Sequence, residues 1–93
     1  MADAEAHQLL LYEYVEDMAE RRGPFREAHL ERIRAERDAG KVVMAGALGD
    51  PPSGGAIVFK GVQREEVEKF VHGDPYFEAG LVTSFRIEPW KLV

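Results

Sequence analysis

The chain runs twice through the same order, a strand-forming run, a helix and another strand-forming run, and its 93 residues leave room for little else. Gln8 to Val15 reads as the first strand, with Leu9, Leu11 and Glu13 alternating with Leu10, Tyr12 and Tyr14. Both sets are largely apolar, which predicts a central strand covered on two sides. Gly23-Pro24 opens a helix, with Pro24 at the first helical position, where its missing N–H costs nothing. From Phe25 to Ala39 the residues Phe25, His29, Leu30 and Ile33 fall on one side at helical spacing, and Gly40 supplies the stop. Lys41 to Leu48, rich in Val, Met and Ala, is a second strand. Its small-residue stretch Ala45-Gly46-Ala47 predicts that something approaches it closely.

The second half repeats the plan after a loop, Gly49 to Gly55, dominated by glycine and proline. Ala56-Ile57-Val58-Phe59 is a short third strand. A helix from about Gln63 to His72 buries Val67, Phe70 and Val71, and Gly73 ends it. The last strand is expected at Leu81 to Glu88, broken by Pro89-Trp90. Two β-α-β units in series predict one α+β domain spanning residues 1–93, a ferredoxin-like β-α-β-β-α-β layout with an antiparallel sheet and both helices on one face. Tyr12, Tyr14, Val43 and Phe85 cannot all turn inward on this reading. The second sheet face therefore needs a cover, and a second copy of the chain is the economical one.

Composition excludes several classes. No apolar run approaches a membrane span, and the acidic start Met1-Ala2-Asp3-Ala4-Glu5 is unlike a signal peptide. Cysteine is absent, which removes disulfides, thiol nucleophiles and thiolate zinc sites and fits a cytoplasmic setting. A net charge of −5 argues against nucleic acid as a partner. The arginines between Arg21 and Arg37 are interleaved with Glu27, Glu31 and Glu36, the pattern of a solvated, ion-paired helix.

Winding order places two residues with chemistry at one edge of the sheet. The first helix starts at the edge where the second ends, so His29, in the second turn of the first, meets Asp74, just past the end of the second. A carboxylate beside an imidazole sets its tautomer and orientation, and such a histidine can move a proton near neutral pH. The structural alternatives stay open: His29 as a half-buried packing residue, and Asp74-Pro75 as the cap and first position of a short helical turn through Glu78. Tyr14, Tyr76, Arg86 and Trp90 are candidates to line a substrate pocket, or else core and dimer contacts. His7, His29 and His72 lack ligand spacing, His72-Gly73-Asp74 offers two donors without a third, and no nucleotide fingerprint surrounds Gly54-Gly55. No metal or cofactor is expected.

Four stretches, Arg22 to Leu30, Gly40 to Leu48, Phe70 to Val82 and Arg86 to Trp90, resemble the YciI-like (YCII-related) family in the family's order. The specific elements are a helix-borne histidine, an Asp-Pro-aromatic segment and a terminal Pro-aromatic. The resemblance implies a dimeric α/β-barrel, two ferredoxin-like sheets packed face to face, with an active-site His–Asp dyad mapping onto His29 and Asp74. It also implies proton abstraction, isomerisation or elimination on small, often aromatic, carbon skeletons. Where the family commonly has proline after the Ala-Gly of the second strand this chain has Ala47, so that pocket wall differs. The expected function is a cofactor-free lyase or isomerase working through His29 and Asp74. The alternative is a small-molecule-binding or interaction module in which the pair is structural.

Overall fold

Alternation along the first strand decides which residues meet. The structure, a computed structural model, describes residues 6–93, and the acidic start Met1 to Glu5 lies outside the described residues. Strand β1 (His7–Tyr14) is central, flanked by β3 (Gly54–Lys60) and β4 (Val82–Trp90). With β2 (Val42–Leu48) at one edge the order is β2-β3-β1-β4, every pair antiparallel. Helices α2 (Gly23–Asp38) and α3 (Arg64–His72) make the two crossovers, and the short helices α1 (Met18–Arg21) and α4 (Pro75–Glu78) complete the elements. The fold is the ferredoxin-like α+β arrangement expected from the sequence.

Leu10 and Tyr12 of β1 share the helix side with Ile57 of β3 and Ile87 of β4, and this layer closes on Val67, Phe70 and Val71 of α3. Burial of such side chains, worth about 1.5–3 kcal/mol each, holds the layers together. Helix α2 ends as expected at Gly40, whose φ of 78° suits a residue without a β-carbon. The Gly40 N–H bonds the Arg37 carbonyl and the Lys41 N–H the Glu36 carbonyl, a Schellman stop.

Three sequence expectations change. Pro89-Trp90 does not break the last strand, which runs to Trp90 with Pro89 opposite Gln8; β4 is an edge strand, where a missing N–H is tolerated. Met18–Arg21 forms a short helix that no periodicity announced, anchored by the buried Met18. Tyr12, Tyr14 and Phe85 do turn inward together, because register sets Phe85 directly opposite Tyr12. Val43, at the irregularity between Val42 and Met44, is the one of the four left exposed. The open sheet face instead carries Leu9, Leu11, Met44 and Leu48 among Glu13, Arg86 and Glu88, with Met44 62% and Leu48 46% exposed. No helix among the described residues is long and apolar enough to cross a membrane.

Candidate active site

Two helix ends build the site. His29 lies on the second turn of α2 and is its one buried residue. Helix α3 stops at Gly73, and Asp74 caps α4 by accepting the Tyr76 N–H on Oδ1 at 3.0 Å. The same carboxylate meets His29 Nδ1 at 2.8 Å through Oδ1 and 3.0 Å through Oδ2, and accepts the Tyr12 hydroxyl on Oδ2 at 2.8 Å. Capping and pairing therefore coexist on one side chain, which is fully buried. With Asp74 as the acceptor, His29 carries its proton on Nδ1. No buried side-chain nitrogen or oxygen among the described residues lacks a partner, and Nε2 makes no hydrogen bond. Nε2 is therefore the ring atom open to water. The imidazole is clamped in this pose by the Tyr76 ring, stacked 3.8 Å away at 11°.

His29 borders a cleft of about 260 Å³ between α2 and the β2–β3 edge. Its floor is the small-residue stretch Ala45-Gly46-Ala47 with Gly55. Ala45, Gly46 and Ala47 are all exposed; Ala45 and Ala47 face the cleft, while Gly46, paired with Ala56, would carry a β-carbon on the open sheet face, where it would meet nothing. The close approach expected along them is not made among the described residues. Ala47, the departure from the family pattern, is part of this lining. Tyr12, Tyr14 and Tyr76 form the aromatic wall, with the rings of Tyr14 and Tyr76 edge-on at 5.9 Å. A β-carbon at Gly55 would stand 2.5 Å from the Tyr14 hydroxyl. Gly55→Ala should displace that ring and cost about 1–3 kcal/mol, measured by urea unfolding.

The wall tyrosines are the only three in the chain, and all resist ionisation. Burial is the main cause in each. The Asp74 carboxylate adds to it for Tyr12, and the Tyr76 phenol and Asp74 add to it for Tyr14. At Tyr76, Arg22 and Arg26 pull partly the other way. A folded-state value above the unfolded one stabilises the fold fully below pH ~10, and that contribution is lost as pH rises through the folded value. Native protein at pH 10 should therefore show less tyrosinate absorbance at 295 nm than the urea-unfolded chain at the same pH. The part due to Tyr12 and Tyr14 should appear in step with alkaline unfolding rather than before it.

Of the residues singled out in the sequence, the structure brings His29, Asp74, Tyr14 and Tyr76 to one place. Arg86 is elsewhere: it sits opposite Leu11 on the open sheet face, with its guanidinium 3.7 Å from Glu88. Trp90 lies at the far end of β4, opposite His7. His72 packs edge-on against Phe77 and Phe85, and no three potential metal ligands converge among the described residues. The sequence reading missed the cleft rim, which is formed by Arg22, Arg26, Arg34 and Arg37 of the α2 face. Their spacing around His29 and Ile33 is helical, so the stripe could have been found by projecting the arginines on the helix instead of counting charges along the chain.

The fold recurs in a solved structure. The 5-chloro-2-hydroxyhydroquinone dehydrochlorinase of Burkholderia phenoliruptrix, in complex with 2,5-dihydroxybenzoquinone, superposes with a TM-score of 0.78. It is 22% identical, over 91% of this chain and 93% of that one. No sequence among the curated proteins matches. The profile of the YCII-related domain matches residues 6–91, and the chain belongs to that family.

Proposed function

We propose that the protein is a small enzyme in which His29 acts as general acid and base, oriented by Asp74, on a ring-sized organic molecule held against Tyr14 and Tyr76. One observation carries this reading: a buried carboxylate fixes Nδ1–H, so Nε2 is left as a proton acceptor beside an aromatic-walled cleft. A role confined to packing would not require an open ring nitrogen there. In an elimination, Nε2 takes a proton from a carbon next to a carbonyl. The C–H electron pair becomes a C=C bond, and a leaving group departs with the electrons of its own bond. Asp74 holds the imidazolium meanwhile, and the proton is later returned to water. In an isomerisation the same proton goes back to another atom of the substrate.

The dehydrochlorinase suggests the first assay, because its name describes an elimination from a hydroxylated aromatic ring. Chlorinated hydroxyhydroquinones would be incubated with the protein, and chloride release and ring absorbance followed. Turnover by wild type that is lost in a folded His29→Gln variant is the expected result. Tight binding of such rings with no turnover of any would replace the enzyme by a binding module with a structural His–Asp pair.

The same reading takes the working unit as a homodimer closed over the open sheet face, where Met44 and Leu48 are exposed, and its compartment as the cytoplasm. Sedimentation should give twice the chain mass. Met44→Lys with Leu48→Lys should shift it to the monomer, while a monomeric wild type would remove the dimer.

A further inference from the structure

Four arginines rim the cleft, yet the chain is acidic, with 17 Asp and Glu against 12 Lys and Arg. In such a chain each cation has carboxylates to spare, and three helix arginines use them: Arg21 pairs with Asp17, Arg34 with Glu27, Arg64 with Glu68. Arg22, Arg26 and Arg37 make no ion pair among the described residues. Arg22 and Arg26 stand one turn apart at the start of α2, next to His29. Their positive charge is felt by the Tyr76 phenol, and that of Arg22 by Tyr14 as well. The first turn of α2 contains no acid and no side-chain cap, so the positive end of the helix adds to the same field. Unpaired guanidiniums, a helix start and an open imidazole nitrogen therefore converge on one mouth.

We propose that the substrate is an organic acid, a planar ring bearing a carboxylate, which Arg22 and Arg26 grip while its ring lies along Tyr14 and Tyr76. Two guanidiniums match a flat carboxylate by paired N–H donors. The aromatic wall and the floor of Ala45, Gly46 and Gly55 suit a flat ring better than a phosphate, for which no glycine-rich backbone cradle is present. The proposal rests on the cleft being the substrate site and names its ligand class. Arg37, toward the other end of α2, extends the positive field along the cleft without being required for the grip.

The probes are salicylate and its uncharged amide, salicylamide, titrated by calorimetry at low salt and again at 0.5 M NaCl. Salicylate should bind at least about tenfold tighter than salicylamide, and the difference should shrink with salt. Arg22→Gln with Arg26→Gln should abolish the preference, whereas Lys91→Gln, remote from the cleft, should retain it. Circular dichroism controls for folding, and Arg26→Gln alone, at an exposed position, should already weaken salicylate severalfold. Equal affinity for acid and amide, binding of neither, unchanged affinity in the double variant, or equal competition by inorganic phosphate would each overturn the proposal. The enzyme reading fails separately. Carboxylate selectivity without turnover of any ring leaves this inference standing, and turnover of neutral rings with no carboxylate preference does the reverse.

Discussion

Asp74→Ala should lower the stability of the fold by about 3–5 kcal/mol, the size of effect seen when a buried charged pair loses one member. The side chain is wholly buried and serves three donors: His29 Nδ1–H, the Tyr12 hydroxyl and the Tyr76 N–H. Alanine leaves all three without an acceptor, and each buried donor left unpaired costs about 1–3 kcal/mol. Small domains are stable by only about 5–15 kcal/mol, so this one change removes a large share. The melting temperature should fall by at least about 12 °C. Tyr12→Phe deletes one hydroxyl and keeps the rest of the set, so it should cost about 1–2 kcal/mol. Asp74→Asn, which keeps the shape and one acceptor oxygen, should fall between Asp74→Ala and wild type. Urea unfolding of the variants at one pH gives the order. An Asp74→Ala loss below about 1 kcal/mol would mean that the three bonds are not made together in solution.

His29→Gln should reduce kcat/KM by about 10²–10⁴-fold on whichever ring the wild type turns over, the usual worth of a positioned general acid or base. Glutamine can still donate to Asp74, so the buried carboxylate keeps a partner and the fold should survive. Its amide has no basic nitrogen to offer the cleft, and that is the atom the chemistry needs. The loss should appear in kcat with KM little changed, because binding is assigned to the tyrosines and arginines instead. The reverse pattern, KM raised and kcat retained, would make His29 a wall of the cleft and not its base. In wild type, ¹⁵N spectra of the imidazole should show the Nδ1–H tautomer, and Asp74→Ala should release that preference.

Much of this was legible in the chain. Alternation in Leu9 to Tyr14, the stripe Val67, Phe70 and Val71, and the stops at Gly40 and Gly73 follow from local geometry, so the four strands and the two crossover helices fell within one or two residues of expectation. Right-handed crossovers then put His29 and Asp74 at one sheet edge without any knowledge of distance. Less was legible where the outcome depended on a neighbour. The strand through Pro89 survives because β4 has no partner on its outer side, and an edge position cannot be read from the strand itself. Phe85 turns inward because register, a property of two strands, sets it across from Tyr12.

The sequence alone determined the order of elements, the winding and hence the meeting of one histidine with one aspartate, because these follow from residue spacing and chain handedness. Only the tertiary structure decided that Asp74 also binds Tyr12, that Nε2 stays open, and that Arg22 and Arg26 face the cleft while Arg86 lies across the sheet. Those outcomes depend on which face each side chain takes and on how far α2 stands from β2. Both are set by packing between segments distant in the chain, which no local pattern encodes.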